Sequence, residues 1–126
     1  LTEPVFNSWG YNTRSAALRI PCSDESNRRI EYRLAGADAN PYLVAATILT
    51  GMLYGLEHID EGDLPEPQHD QPELPLFQQE AIEAFARCQY LTDSLGDAFS
   101  EQWVACKLSE LDWFERIVTQ EESHLA

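Results

Sequence analysis

Residues 28 to 34 alternate between apolar and charged positions. Ile30, Tyr32 and Leu34 fall on one face, and Arg29, Glu31 and Arg33 on the other. A period of two is the mark of a strand. Residues 14 to 21 alternate in the same way. Ala16, Leu18 and Ile20 share one face, Ala17 and Arg19 the other, and Pro21 ends the run. The polar stretch "CSDESN" between them has the length of a hairpin loop. The pattern therefore predicts an antiparallel strand pair that carries Arg19 onto the same charged face as Glu31. Residues 1 to 13 read as loop.

The period then changes. Asn40 suits a helix N-cap and Pro41 a first helical position. From residue 41 to 57 the chain is apolar nearly all round (Leu43, Val44, Ala45, Ala46, Ile48, Leu49, Met52, Leu53, Leu56). A helix without a polar face is expected to be buried, and this one is too short and too rich in Thr and Gly to span a membrane. Residues 58 to 75 form a Pro-rich acidic connection, read as a plain solvated loop. Beyond it, Phe77, Ala81, Phe85 and Cys88 make one helical stripe. Leu91 and Leu95 continue in a short helix stopped by Gly96. Val104, Leu108, Leu111, Phe114 and Val118 line a long amphipathic helix over residues 98 to 119. The expected fold class is α+β: an antiparallel strand pair from a larger sheet, followed by three or four helices. One unit of 126 residues is expected, with residues 1–57 as strand pair and buried helix, 58–75 as loop and 76–126 as helices.

Charge sharpens this picture. The formal net charge is -14, which argues against nucleic acid as a partner because phosphates would be repelled. The charge is unevenly spread. Residues 1 to 33 hold Arg14, Arg19, Arg28, Arg29 and Arg33 against Glu3, Asp24, Glu25 and Glu31, whereas the rest holds three cations against eighteen acids. Cations concentrated in one short segment of an acidic chain suggest a local anion site. Two readings of the Arg-Glu-Arg face stay open. One is an exposed ladder of ion pairs, each contributing about 0–1 kcal/mol. The other is a metal–phosphate site. Guanidinium groups fork onto phosphate oxygens, and a carboxylate held between them stays ionised, as a hard cation such as magnesium requires. The position of the face, in the cation-rich segment and just before an apolar helix, favours the second.

Other chemistry is sparse. No glycine-rich phosphate loop occurs. His58, His69 and His124 are scattered over loop and tail and read as surface residues. Cys22, Cys88 and Cys106 are odd in number and form no CxxC pair, so reduced, half-buried thiols are expected rather than disulfides or a zinc site. No charged leader precedes an apolar stretch, and the first residue is Leu. A cytoplasmic protein without membrane attachment is expected, with this chain a piece of something longer.

The motifs "SWGYNTRSAALRIP", "RRIEYR" and "GADANPYLVAATILTGMLYGLE", followed by "LTDSLGDAF" and "VACKLSELDWFERIVT", resemble in order and spacing the carboxy-terminal part of the glutamine synthetase family catalytic domain. "GADANPYL" resembles most the branch that ligates glutamate to amines, such as γ-glutamylpolyamine synthetases. The resemblance implies an enzyme of nitrogen metabolism: an ATP-dependent carbon–nitrogen ligase that joins L-glutamate to ammonia or an amine through a γ-glutamyl phosphate. It implies two bridging divalent metals, magnesium or manganese, and a ring-shaped homo-oligomer with active sites between neighbouring subunits. Position by position, it implies that Arg14 contacts the acyl phosphate and substrate, that Arg19 contacts the ATP phosphates and that Arg29 lies at the nucleotide. Glu31 is implied as a ligand of the metal bridging the ATP phosphates, and Arg33 as a contact of glutamate or its phosphorylated intermediate. The chain departs from the family at Thr13, where Asn usually precedes the first arginine; here Asn12 stands one place earlier. The family's other metal ligands would lie before Leu1, so the chain alone is expected to be inactive. A second reading, motivated by Thr13 and the acidic helical tail, is a non-catalytic helical interaction or regulatory module that keeps the family fold.

Overall fold

The computed structural model describes Pro4, residues 6–59 and residues 73–117. The Pro-rich connection, His69, His124 and Val118 fall almost wholly or wholly outside these residues. The chain divides into two units, residues 1–74 and 75–126.

The first unit is built on a three-stranded mixed sheet in the order β1 (Trp9–Tyr11), β2 (Leu18–Ile20), β3 (Glu31–Tyr32). β2 and β3 are antiparallel, with Leu18 opposite Tyr32 and Arg19 opposite Glu31, as the alternating pattern predicts. β1 runs parallel to β2, with Trp9, Gly10 and Tyr11 opposite Leu18, Arg19 and Ile20. This strand lies in a stretch expected to be loop. Its three residues are too few to show a period of two.

The strand expected from residue 14 is also shorter than its pattern. Residues 14–17 bend, and both Ala16 and Ala17 are buried, which strict alternation forbids. The bend is tied down from β3's side: the Arg33 amide donates to the Ala17 carbonyl at 3.0 Å and Arg33 Nη1 to the Ala16 carbonyl at 3.4 Å. Buried Pro21 ends β2. A 3-10 turn, Glu25–Asn27, follows and is capped by Asp24.

Helix α1 spans Pro41–Glu57. Asn40 Oδ1 accepts from the amides of Tyr42 and Leu43 at 3.0 and 3.4 Å, and Pro41 occupies the first turn. The expected burial is not found. No residue of α1 is buried, and among the described residues it packs against no other element. Leu49, Met52, Leu53 and Leu56 are all more than half exposed. Apolar periodicity states what a helix can bury, whereas burial itself requires a neighbour.

The second unit is helical: α2 (Gln78–Arg87), α3 (Gln89–Leu95) and α4 (Asp97–Glu115), packed pairwise. Glu80 Oε2 accepts from the amides of Leu76 and Phe77 at 3.2 and 3.5 Å, completing the start of α2. Gly96, at φ 87°, caps α3 through a 2.9 Å bond to the Thr92 carbonyl and lets the chain turn into α4. Ile82 and Ser100 are the buried residues here, with Ser100 Oγ donating to the Thr92 carbonyl at 3.3 Å.

Candidate functional site

The charged face is assembled by the sheet. Because Arg19 and Glu31 are directly opposed on adjacent strands, their side chains emerge on one face within reach. Arg19 Nη1 lies 3.1 Å from Glu31 Oε2. Arg29, two residues before Glu31 and so on the same side of the chain, grips the other oxygen. Its Nη2 and Nε donate to Oε1 at 3.1 and 3.3 Å. Glu31 is thus a carboxylate between two guanidiniums. The side chains of Arg19 and Glu31 are 22% and 30% exposed, so the site is half-buried, while Arg29 is more open.

The remaining arginines take different positions. Arg33 is half-buried and turned to the Ala16 carbonyl. Arg14 sits exposed in the bend between β1 and β2. Arg28 leaves the cluster for Glu25, at 4.0 Å, with both side chains strongly exposed. The structure therefore brings Arg19, Arg29 and Glu31 into one contact group, and holds Arg33 through the same bend that presents Arg14.

Two residues around this group went unassigned in the sequence. Asn12 has φ 52°, and its Oδ1 accepts from Arg19 Nη2 at 3.2 Å. Gly10 is buried opposite Arg19, and a Cβ there would lie 2.8 Å from Thr13 Cγ2. Thr13, the departure from the family pattern, thus folds back over β1, and its hydroxyl bonds that of Ser15 at 3.1 Å. An asparagine in "YNT" is a local cue for left-handed backbone, but its partner seven residues away is not legible locally.

Beside Arg29 lies an open cleft of about 620 Å³, walled by Tyr11, Ile20, Pro21, Cys22, Arg28 and Ile30. This is within the roughly 300–1,000 Å³ usual for small-molecule sites. Cys22, Cys88 and Cys106 are all free thiols and exposed rather than half-buried. His58 ends α1, with Nδ1 2.8 Å from the Tyr54 carbonyl and its ring stacked on Tyr54.

Glu31 is the one acidic side chain in the cluster. Among the described residues no group of three His, Cys, Asp or Glu could hold a metal ion. A single carboxylate nonetheless fits one position of a magnesium or manganese ion, since such ions are held by one or two carboxylates plus phosphate oxygens. The arginines also leave part of the carboxylate's acceptor capacity unused. No helix among the described residues is long and apolar enough to cross a membrane.

The sequence and the fold place the chain in one family. The family described as glutamine synthetase, catalytic domain, matches residues 1–125, and the chain belongs to it. Among relatives, it is 44% identical over 125 residues to gamma-glutamylputrescine synthetase PuuA of Escherichia coli strain K12, covering 94% of this chain and 26% of PuuA. It is 37% identical over 120 residues to mouse (Mus musculus) lengsin, covering 89% of this chain and 21% of lengsin. With the glutamine synthetase of Pyrococcus furiosus it shares 31% identity over 134 aligned positions, covering 97% of this chain and 30% of that enzyme. The structure of apo GmaS without ligand superposes with a TM-score of 0.76 at 28% identity, over 96% of this chain and 30% of GmaS. The chain thus spans about a quarter of the length of the curated relatives it matches.

Proposed function

We propose that residues 1–126 form the carboxy-terminal segment of the catalytic domain of a cytoplasmic ATP-dependent ligase that joins L-glutamate to an amine. The observation that carries this reading is Glu31 held between Arg19 and Arg29 at 3.1 Å on each side. In the proposed reaction the γ-phosphoryl group of ATP passes to the glutamate side-chain carboxylate, releasing ADP. The amine nitrogen then attacks the acyl carbon, loses a proton, and phosphate leaves. Negative charge moves between donor and acceptor oxygens throughout, and fixed guanidiniums stabilise such charge without reorganising.

In this reading Arg19 binds the ATP phosphates and Arg29 orients the nucleotide, with the neighbouring cleft offering room for its base. Arg14, exposed on its bend, contacts the acyl phosphate. Arg33 contacts glutamate or its phosphorylated form. Glu31 would hold a magnesium or manganese ion, which when bound neutralises phosphate charge. Glu31 also keeps Arg19 and Arg29 apart and oriented. An amine acceptor is favoured over ammonia by the 44% identity to a gamma-glutamylputrescine synthetase against 31% to a glutamine synthetase. The remaining metal ligands would come from outside this chain, and the whole enzyme would be a ring-shaped homo-oligomer. The isolated chain would then be inactive.

The test is ADP release by the whole protein supplied with Mg-ATP and L-glutamate, comparing ammonia with polyamines and simple amines. Amine-dependent turnover is expected. Turnover with ammonia alone would make it a glutamine synthetase. A folded protein that releases no ADP with any acceptor would favour the non-catalytic module.

A further inference from the structure

We propose that Asn12 is a positioning residue that sets the orientation of the Arg19 guanidinium. Arg29 and Arg19 hold the same carboxylate in different ways. Arg29 approaches side-on, with Nε and Nη2 both on Glu31 Oε1. Arg19 approaches end-on, with Nη1 alone on Oε2, Nη2 on Asn12 Oδ1, and Nε buried without a hydrogen-bond partner. An unsatisfied buried N–H is costly, and a side-on approach like that of Arg29 would relieve it. The Asn12 carbonyl opposes that rotation by anchoring the second Nη.

Asn12 is itself built in place. It adopts a left-handed backbone, which Asn tolerates better than most residues. Its amide donates to the Ile20 carbonyl at 2.9 Å, extending the β1–β2 ladder beside Arg19. The side-chain carbonyl is therefore fixed relative to the strand that carries Arg19. Each Arg19 Nη keeps a further N–H in this orientation. That edge is the part of the group suited to forked contact with phosphate oxygens.

The consequence for ATP rests on the ligase reading, whereas the positioning itself does not. Asn12→Gly keeps the left-handed backbone and deletes the acceptor; Asn12→Asp keeps an acceptor. In the crystal structure of the whole protein carrying Asn12→Gly, Arg19 is expected to rotate so that Nε reaches Glu31. KM for ATP is expected to rise about tenfold, the loss of one hydrogen bond to a charged group, and Asn12→Asp should restore it to within about threefold. A guanidinium unmoved in Asn12→Gly would overturn the proposal. A rotated guanidinium with unchanged KM for ATP, in Asn12→Gly and in Arg19→Ala alike, would support the positioning and overturn the ATP role of Arg19. On the unaltered protein, side-chain NMR offers an independent reading. Hindered rotation about the Arg19 Nε–Cζ bond is expected, and free rotation would overturn the proposal even if Asn12→Gly failed to fold.

Discussion

Arg19 and Glu31 face one another across β2 and β3, with Nη1 3.1 Å from Oε2. The pair joins sheet register to chemistry, because a slip of one residue would send the two side chains to opposite faces. Both are partly solvated, so the pair contributes at most about 1 kcal/mol to stability. Its proposed value lies in catalysis. Glu31→Ala in the whole protein is expected to lower kcat for ADP release at least about 100-fold, the scale of losing a fixed electrostatic partner, while thermal unfolding moves little. Retained turnover in a folded Glu31→Ala protein would remove Glu31 from the site.

Gly10 and Thr13 make a prediction about coupling. A Cβ at Gly10 would sit 2.8 Å from Thr13 Cγ2, closer than real contacts allow. Gly10→Ala is expected to destabilise by about 1–3 kcal/mol, as overpacking does. Thr13→Ser removes the offending methyl and keeps the hydroxyl that meets Ser15. The double variant should therefore be more stable than Gly10→Ala alone, a non-additivity that denaturant unfolding of all four proteins would measure. Additive effects would mean that the loop does not fold back on β1.

Asn40 offers a simpler check. Its side chain accepts from the amides of Tyr42 and Leu43, which have no acceptor within α1 at its start. Asn40→Ala should cost about 1 kcal/mol, and Asn40→Asp, which retains the acceptor, much less. Thermal melts of the two variants would decide between a working cap and a coincidental contact.

How far each feature was legible follows from how local its cause is. The Asn40–Pro41 start and the Gly96 stop rest on single residues and their backbone preferences, and both appear where the sequence puts them. The opposition of Arg19 and Glu31 follows from alternation on both strands. β1 is not legible, since three residues are too few to leave a periodic trace. The apolar pattern of α1 announced a surface to be covered but not what covers it. On α4 the stripe was partly misread. Ser100, Trp103, Val104, Lys107 and Leu111 form the covered part, with Lys107 Nζ 4.6 Å from the Trp103 ring centre, whereas Leu108 and Phe114 are 39% and 67% exposed. The covered face, which packs on α2 and α3, is turned from the expected stripe and takes in the polar Ser100 and Lys107, which apolar periodicity alone does not mark. In the site, residue types pointed to Arg19, Arg29 and Glu31, but Asn12 emerged only from the fold.

The turn that delivers Arg28 and Arg29 to β3 gives a prediction in pH. Asp24 Oδ1 accepts from Ser26 Oγ at 2.9 Å, Asn27 Nδ2 at 2.7 Å and the Asn27 amide at 3.0 Å. These bonds, the Ser26 hydroxyl first, favour the charged carboxylate and hold its pKa below the ordinary value of 3.8. Since the folded value lies below the unfolded one, the cap's contribution is present above about pH 4 and is lost as pH falls through the folded value. Carboxyl NMR of the folded protein should therefore give Asp24 a midpoint below 3.8, and Ser26→Ala should raise it. A midpoint at or above the ordinary value would mean that the cap is open in solution. The turn would then no longer fix the approach of Arg29 to Glu31.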